Sequence, residues 1–348
     1  MRETVYVGMS GGVDSSVTAA LLLDAGYDVV GVYMKNWSKD LPGHHCTWEE
    51  DYQDAKKVAT QLGIEFKMYD FENEYRQKVV DYMVAEYQAG RTPNPDIMCN
   101  QEIKFKLFLD TALEDGADYI ATGHYARVKD GKLLVGIDKN KDQSYFLYRV
   151  NEEALKKTIM PIGEMEKPKV REIAKRLGLA TAEKKDSQGI CFVGKVGIKE
   201  FLETELGPQK PGQIIDQNGK VLGDHEGSLY YTIGQRHGLN VGGGLPYYVT
   251  GKDVKNNQVF VTTDISDKNL WNQKLTLSDL HWINEAPNSQ SEYTIRTRYR
   301  ADLVAVKSFK KEGDNYLIEL KDEVRAITPG QSAVIYEKEK VVGGGIVI

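Results

Sequence analysis

The first 125 residues alternate short apolar runs with longer helical patterns, and this alternation limits the possible folds more than any other feature. The predicted strands cover residues 5–9, 28–34, 64–69 and 119–122, and the predicted helices cover residues 17–23, 48–62, 72–88 and 103–113. Strands separated by helices of this length predict a parallel sheet with helices on both faces. We therefore expect an α/β protein with an N-terminal doubly wound parallel sheet.

The turn between the first strand and the first helix has the composition of a phosphate-binding loop. Its residues are Ser10-Gly11-Gly12-Val13-Asp14-Ser15-Ser16. Gly11 and Gly12 allow positive φ and a close approach to a ligand, and the following helix offers N–H groups that lack partners. The turn contains no Gly-Lys-Ser/Thr, which excludes a Walker-type loop, and its glycine spacing does not fit the dinucleotide fingerprint. A bare glycine-rich turn is the alternative.

Ligands of parallel sheets bind beyond the carboxyl ends of the strands, near the point where strand order reverses. Ser10, Met34 and Gly123 all follow predicted strands in this way. The sequence therefore predicts that these three residues surround one nucleotide.

Composition changes near residue 207, after a further predicted helix at 167–177. Gly, Asn and β-forming residues then dominate, with hairpin turns predicted at Asn218-Gly219 and Asn256-Asn257. Further strands are predicted at 292–300, 316–320, 332–336 and 341–348, a regularity typical of a small β-barrel. We expect three domains: a catalytic domain at 1–195, a small β-rich central domain at 196–272 and a C-terminal β-barrel at 273–348.

Length and composition exclude several classes of protein. A net charge of −6 argues against a basic coat over the whole surface, although it allows local basic patches. Three scattered cysteines are too few for a disulfide framework or a zinc site, so no metal site is predicted. No apolar run approaches ~20 residues, and the first strand starts at Val5, so we expect a cytoplasmic protein without a membrane segment or signal peptide.

One cysteine follows a proline-rich segment, Asn94-Pro95-Asp96-Ile97-Met98-Cys99. The prolines predict an extended, stiff loop just before the next helix. Asp96 and Cys99 would then lie near the helix N-terminus, where the dipole favours a thiolate. The alternative is that Cys99 is a small buried hydrophobic residue and Asp96 an N-cap.

The other two cysteines are less informative. Cys191 follows Lys184 and Lys185, whose charge favours a thiolate, but a packed cysteine beside Phe192 is an equally good interpretation. Cys46 follows two histidines in a polar segment that lacks the spacing of a closed zinc site, and we interpret this segment as an exposed loop.

Several segments are candidates for contact with RNA. The run 138–146 mixes cations, amides and aromatic residues, which suits phosphate contact and base stacking, and a solvated loop is an equally good interpretation. Arg296, Arg298 and Arg300 alternate along a predicted strand, so they would share one face. That face would bind phosphate or would be a solvated sheet surface. Gln331 lies in a predicted turn from which its amide would reach RNA.

The loop at 10–16 resembles that of the ATP pyrophosphatases (PP-loop family), which split ATP between the α and β phosphates and transfer AMP to a substrate oxygen. Over nearly its whole length the chain resembles the bacterial tRNA-specific 2-thiouridylase family. The motifs that carry this resemblance are Gly8 to Ser16, Arg91-Thr92-Pro93-Asn94-Pro95-Asp96 with Cys99-Asn100, Ala121 to Arg127, Lys141 to Phe146, Gly189-Ile190-Cys191-Phe192 and Thr328 to Ser332.

The resemblance implies ATP-dependent 2-thiolation of the wobble uridine, position 34 of tRNA. It implies adenylation of the C2 oxygen and sulfur transfer from a cysteine persulfide, with release of AMP and pyrophosphate. Cys191 would carry the persulfide, Cys99 would be the second catalytic thiol and Asp96 the general acid or base. The partners would be a tRNA with a wobble uridine and a persulfide-donating sulfur-relay protein or cysteine desulfurase.

The resemblance also implies residue contacts. ATP, with Mg²⁺ carried by the nucleotide because the loop has no lysine, would contact Gly8, Met9, Ser10, Gly11, Gly12, Val13, Asp14, Ser15, Met34 and Gly123. The target base would contact Asn94, Pro95 and Asp96, and the tRNA would contact His124, Lys141, Asp142, Gln143, Arg298, Tyr299 and Gln331.

Two other functions remain open from the residues alone. One is a PP-loop ligase or amidotransferase that adenylates another acceptor, and the other is a non-catalytic RNA-binding protein. Thiolation requires Cys99 and Cys191 to lie close together, whereas the other functions do not constrain their separation. The sequence also leaves open whether the persulfide attacks the base directly or Cys99 first releases hydrosulfide.

Overall fold

The N-terminal domain is built on a parallel sheet. The computed structural model describes residues 2–186, 197–239, 241–242, 244, 246–288 and 290–348. The strands of this sheet are β1 (Thr4–Gly8), β2 (Asp28–Lys35), β3 (Glu65–Asp70), β4 (Tyr119–Thr122) and β7 (Thr158–Ile159), in the order β3-β2-β1-β4-β7. Every neighbouring pair is parallel. The strand order reverses between β1 and β4, so the point at which ligands bind such sheets lies there.

Helices cover both faces of this sheet, which confirms the doubly wound prediction. They are α1 (Val13–Asp24), α2 (Trp48–Leu62), α3 (residues 72–88), α4 (residues 95–114), α5 (Glu152–Lys156) and α6 (Lys167–Arg176). Successive β1 side chains point to opposite faces. Tyr6 packs in the core under α3 and α4, and Val5 and Val7 pack in the core under α1, α2 and α6.

Two of these helices contain π-helical segments, Arg76–Val80 in α3 and Cys99–Leu107 in α4. The prediction of an extended loop up to Cys99 is wrong, because α4 begins at Pro95. Proline suits the first helical position, since the N–H it lacks would have no helical partner there. The irregular segment is therefore residues 89–94.

The central domain contains a four-stranded sheet in the order β10-β11-β8-β9. Its strands are β8 (Gly212–Asp216), β9 (Val221–His225), β10 (Tyr248–Asp253) and β11 (Gln258–Thr262). Both predicted hairpins form. The prediction missed helix α7 (Ile198–Leu206), whose fully buried Phe201 packs 5.8 Å, between ring centroids, from Trp37 of the N-terminal domain.

The C-terminal barrel is closed. Its strands are β12 (Trp271–Trp282), β13 (Thr294–Arg296), β14 (Val304–Glu312), β15 (Asn315–Arg325), β16 (Ser332–Glu337) and β17 (Lys340–Val347). They follow the order β12-β15-β14-β13-β16-β17, and β12 pairs with β17 to complete the ring. The barrel prediction is confirmed, although β12 and β14 were missed.

A hairpin of the N-terminal domain extends the barrel sheet. Its strands are β5 (Ala126–Lys129) and β6 (Lys132–Val135), and Leu134 pairs with Lys340 of β17. The barrel is therefore joined to the N-terminal domain by backbone pairing. In the part of the chain that the structure describes, no helix is long and apolar enough to cross a membrane.

Candidate nucleotide and RNA site

The loop after β1 is shorter than predicted, because α1 begins at Val13. Gly11 has φ +71°, and a Cβ there would overlap the carbonyl of Asp51, so this position requires glycine. The hydroxyls of Ser15 and Ser16 donate to the Gly12 carbonyl at 3.2 and 2.8 Å, and both residues are buried. These two hydroxyls therefore stabilise the loop itself.

The loop retains the features of a phosphate site. Gly12 is the N-cap of α1, and no described side chain caps this end of the helix. The backbone N–H groups of the first turn therefore have no competing side-chain acceptor among the described residues. Ser10 is exposed, whereas the side chains of Met9 and Val13 are buried in the core and only their backbone is positioned to serve a ligand.

The predicted nucleotide residues of β2 and β4 lie beside this loop. A Cβ built on Gly8 would be 3.0 Å from Cε of Met34. A Cβ built on Gly123 would be 2.8 Å from the backbone nitrogen of Ser15. The ends of the three central strands thus meet at the start of α1.

A charged cluster that sequence reasoning missed surrounds Asp14. Lys167 Nζ donates to both carboxylate oxygens of Asp14 at 2.8 Å and lies 2.9 Å from Asp186 Oδ1. The Tyr125 hydroxyl donates to Asp14 Oδ1 at 2.8 Å, and burial together with the Asp14 charge raises the pKa of Tyr125. Lys167 opens the helix that follows the edge strand β7, so its position at the carboxyl edge of the sheet depends on a strand that the sequence analysis did not predict.

Asp186 forms ion pairs with three basic side chains. Lys141 Nζ lies 2.6 Å from Oδ2, and Arg171 and Lys167 contact Oδ1 at 2.6 and 2.9 Å. Burial raises the pKa of Asp186 but the hydrogen bonds from Lys141 and Lys167 outweigh it, so the pKa is held well below its usual range. The cluster of Asp14, Asp186, Lys141, Lys167 and Arg171 therefore carries two negative and three positive charges.

Helix α4 links this edge of the sheet to Asp96 and Cys99. Its Phe108 lies beside the end of β1, 3.5 Å from where a Cβ on Gly8 would be. Its Phe105 ring is 5.6 Å, between centroids, from the ring of His124. Asp96 is in the first turn, but Cys99 is the fifth helical residue and fully buried. The argument from the helix dipole is therefore wrong for Cys99, because the effect fades beyond the first turn.

The structure describes only one of the other two cysteines, Cys46 but not Cys191. Cys191, with the rest of the Gly189–Phe192 motif, lies outside the described residues. Cys46 is buried beside Trp37, so the exposed-loop interpretation is wrong for the thiol, although His44 and His45 are exposed. No group of three or more His, Cys, Asp or Glu residues in the described part of the chain is arranged to hold a metal ion.

Three residues predicted to contact tRNA have internal partners. Asp142 is buried and accepts from the backbone nitrogens of Gly136 and Ser144. Gln143 Oε1 accepts from the backbone nitrogen of Tyr125 at 2.9 Å. His124 is buried with Nδ1 2.8 Å from Thr122 Oγ1, and burial and the charge of Lys104 lower its pKa well below the usual value.

The predicted face of three arginines does not form. Strand β13 ends at Arg296, and the backbone has turned away by Arg300, where φ is +63°. Arg296 lies 3.5 Å from Asp142. Arg298 donates to the Ile233 carbonyl at 2.6 Å and to the Thr328 hydroxyl. Arg300 alone of the three is exposed.

Aromatic contacts join the 141–146 segment to the barrel. The rings of Phe146 and Tyr299 are 4.4 Å apart between centroids, and the Tyr145 hydroxyl donates to the Ser332 carbonyl at 2.8 Å. Asn100, next to Cys99, donates to the Phe146 carbonyl at 3.1 Å. The segment thus connects α4, the charged cluster and the barrel.

A barrel turn holds the segment that leads into α4. Gln331 Nε2 donates to the carbonyls of Thr92 and Pro93 at 2.7 and 3.3 Å, and Thr92 N donates to the Pro329 carbonyl at 2.9 Å. Gly330 has φ +90°, and a Cβ there would lie 2.7 Å from Thr92 N. The barrel therefore contacts the chain immediately before Asn94, Pro95 and Asp96, the predicted target-base residues.

Comparison with known families agrees with this architecture. Residues 3–195 match the tRNA methyl transferase HUP domain, residues 199–263 the tRNA methyl transferase PRC-barrel domain, and residues 272–347 the aminomethyltransferase beta-barrel domain. The N-terminal match defines the class, a HUP-domain protein with two appended β domains.

Two curated relatives cover almost the whole chain. The tRNA-specific 2-thiouridylase MnmA of Enterococcus faecalis is 48% identical over 99% of this chain and 95% of its own length. The protein of that name from Listeria monocytogenes is 50% identical over 99% of this chain and 94% of its own length. The chain belongs to the tRNA-specific 2-thiouridylase family. A solved NMN synthetase from Francisella tularensis covers 59% of this chain and 72% of its own, with 17% identity and a TM-score of 0.36.

Proposed function

We propose that this protein catalyses the ATP-dependent 2-thiolation of the wobble uridine of tRNA. The observation that carries the proposal is the course of α4, which packs beside the phosphate loop at Phe108 and holds Asp96 and Cys99 at its other end, next to the barrel. One helix thus joins a nucleotide site to an acid and a thiol. The chain is 48% and 50% identical, over 99% of its length, to two tRNA-specific 2-thiouridylases, which supports the same function.

The chemistry explains why ATP and thiols belong together. The C2 carbonyl of uridine is amide-like and resists attack by sulfur, and ATP supplies AMP to make its oxygen a leaving group. The N–H groups at the start of α1 bind phosphate, with Gly8 to Ser15, Met34 and Gly123 as the nucleotide residues. Mg²⁺ would accompany the nucleotide, and the Asp14 carboxylate is the oxygen ligand that the loop offers it.

Sulfur transfer is proposed to use Cys191 as the persulfide carrier and Cys99 as the second thiol. In one route the terminal persulfide sulfur attacks C2, AMP leaves, and the Cys99 thiolate then attacks the Cys191 sulfur. The thiocarbonyl is released and a Cys99–Cys191 disulfide forms. In the other, Cys99 attacks the Cys191 sulfur first, forming the same disulfide, and the released hydrosulfide attacks C2. Asp96 serves as general acid or base at the target base.

The domain boundaries, the sulfur donor and the tRNA contacts belong to the same proposal. Domain boundaries near 195 and 272 are supported by the three family matches. A persulfide-donating relay protein or desulfurase would load Cys191, and a reducing cytoplasm suits this thiol chemistry. The proposed tRNA contacts remain His124, Lys141 to Gln143, Arg298, Tyr299 and Gln331. Most of these side chains form hydrogen bonds or ion pairs within the protein, so we expect them to shape the RNA-binding surface and not to contact bases directly.

The test is to incubate the full chain with ATP, a persulfide source and a tRNA carrying a wobble uridine, and to analyse the nucleosides by mass. We expect 2-thiouridine from the wild type and none from Cys99→Ser or Cys191→Ser. Cys46→Ser is the matched control. Cys46 is also a buried thiol, but it lies in the segment at residues 38–47, between β2 and α2, and has no role in the proposed sulfur transfer. It should retain activity.

The outcomes separate the candidates. Activity in Cys99→Ser would exclude the two-thiol scheme. A wild type that hydrolyses ATP to AMP without any dependence on tRNA would favour a PP-loop ligase with another acceptor. A wild type that binds tRNA but makes neither AMP nor 2-thiouridine would favour a non-catalytic RNA-binding protein.

A further inference from the structure

Lys167, at the start of α6, is a buried lysine paired with two carboxylates. Its side chain is only 9% exposed, and its ammonium group contacts both oxygens of Asp14 at 2.8 Å and Asp186 at 2.9 Å. Asp14 is the second residue of α1, so the ammonium lies one hydrogen bond from the first turn of the phosphate-loop helix. Its own backbone nitrogen donates to Asp138 Oδ2 at 2.9 Å, which fixes the start of α6.

A carboxylate in a phosphate site needs such a partner. Phosphate and Asp14 repel each other, and a buried or half-buried charge is costly unless it is paired. The phosphate loop itself contains no lysine. Lys167 reaches it from a position 153 residues further along the chain, and Lys141 and Arg171 engage Asp186 on the same cluster.

The supporting cations leave Lys167 able to change partner. Asp186 is also contacted by Lys141 and Arg171, each at 2.6 Å, so it does not depend on Lys167 alone for a cationic partner. Asp14 keeps the hydroxyl of Tyr125 at 2.8 Å. Both carboxylate side chains are about one-third exposed, at 31% and 32%, so the cluster is open to a ligand on one side.

We propose that Lys167 is a phosphate-binding residue of the nucleotide site, pairing with Asp14 and Asp186 in the absence of nucleotide and with the phosphates of ATP in its presence. The inference rests on the proposed use of ATP and supplies the positive charge that the loop lacks. It requires no change in the fold, because the lysine exchanges one anionic partner for another.

The test compares the affinities of full-length variants for ATP and for adenosine by calorimetry. Lys167→Met should weaken ATP binding about 10- to 100-fold, the usual range for losing a hydrogen bond to a charged group, and should leave adenosine within about twofold. Lys167→Arg keeps the charge and should recover most of the ATP affinity. Lys169→Met is the matched control, since Lys169 lies on the same helix but pairs with Glu172 and is 52% exposed.

A second comparison separates phosphate binding from a role in holding Asp14. If Lys167 only neutralises Asp14, then Asp14→Asn/Lys167→Met should bind ATP as tightly as Asp14→Asn alone. We expect the double variant to bind ATP about tenfold more weakly than the single one. This pair also gives an answer if Lys167→Met alone fails to fold, because no Asp14 charge is then left unpaired.

Equal loss of ATP and adenosine affinity, or unchanged ATP affinity in Lys167→Met, would overturn the inference. The experiment is independent of thiolation. A wild type that binds ATP but forms no 2-thiouridine would refute the proposed function and leave Lys167 as a phosphate-binding residue, whereas normal thiolation with unaltered ATP binding in Lys167→Met would refute only the role of Lys167.

Discussion

Gly123 offers the sharpest test of how the strand ends shape the nucleotide site. It follows β4 at the reversal of strand order, and a Cβ there would lie 2.8 Å from Ser15 N and 2.9 Å from the carbonyl carbon of Asp14. Ordinary contacts begin at 3.4 Å, so Gly123→Ala must push the start of α1 away by about 0.6 Å. Gly123 does not have positive φ, so the expected effect is steric alone.

The magnitude follows from overpacking, which typically costs about 1–3 kcal/mol. We expect the free energy of unfolding in urea to fall by that amount. A displacement of this size at a site of adenylyl transfer also predicts a roughly 10- to 100-fold lower rate of tRNA-dependent pyrophosphate release. Both quantities are measurable on the full chain, the first by fluorescence and the second by a coupled assay.

Gly223→Ala is the matched control. Gly223 lies in β9, and an added Cβ there meets no atom of the described residues within 4 Å. We expect its effect on stability to stay within about 0.5 kcal/mol. If Gly123→Ala matches Gly223→Ala in both stability and pyrophosphate release, the packing of β4 against the phosphate loop does not determine the site and the reasoning fails.

Two further substitutions test the domain contacts and a buried charge. Gln331→Met removes the donors to Thr92 and Pro93, so it should cost about 1–2 kcal/mol in urea unfolding and slow thiolation, while ATP affinity by calorimetry stays unchanged; a loss of ATP affinity would contradict this. Burial lowers the pKa of Lys252 to about 8, so between about pH 8 and 10.5 the unfolded chain binds a proton that the folded chain has released, and wild-type stability should rise with pH. Lys252→Met should remove that rise and increase the free energy of unfolding at pH 7 by up to about 3 kcal/mol, and a variant with the wild-type pH profile would contradict the assignment.

Local signals explain which parts of the fold the sequence could predict. Helix α2 spans Trp48–Leu62 as predicted, because its apolar period ends at Gly63, which adopts φ +67°. Strand β4 also matches at both ends. In each case the determinants lie within a few residues, so pattern and cap are sufficient.

Misread signals explain other differences. The prolines predict an extended loop, but at the first helical position proline is favourable, and α4 starts at Pro95. The alternation of the arginines predicts that Arg298 and Arg300 lie in a strand, but the strand ends at Arg296. The alternation of arginines continues along the sequence after the backbone has left the sheet. Alternation alone therefore does not mark where a strand ends.

Other features depend on distant parts of the chain and leave no local pattern. Lys167 and Asp14 are 153 residues apart, and neither the phosphate loop nor the start of α6 indicates the other. The contact exists because strands β1 and β7 end at the same edge of the sheet, on either side of β4. Only the strand order, which the sequence does not state, brings the two residues together.

The contacts of Thr92 bear on how the three domains form one site. Its backbone nitrogen and carbonyl bond to Pro329 and Gln331 of the barrel, and its hydroxyl lies 3.3 Å from that of Thr232 in the central domain. Three residues later the chain enters α4 and the turn that holds Asp96. Both β domains contact Thr92, and the segment around Thr92 sets the position of this turn. The two β domains therefore belong to the candidate active site as structural elements, whether or not their side chains touch RNA.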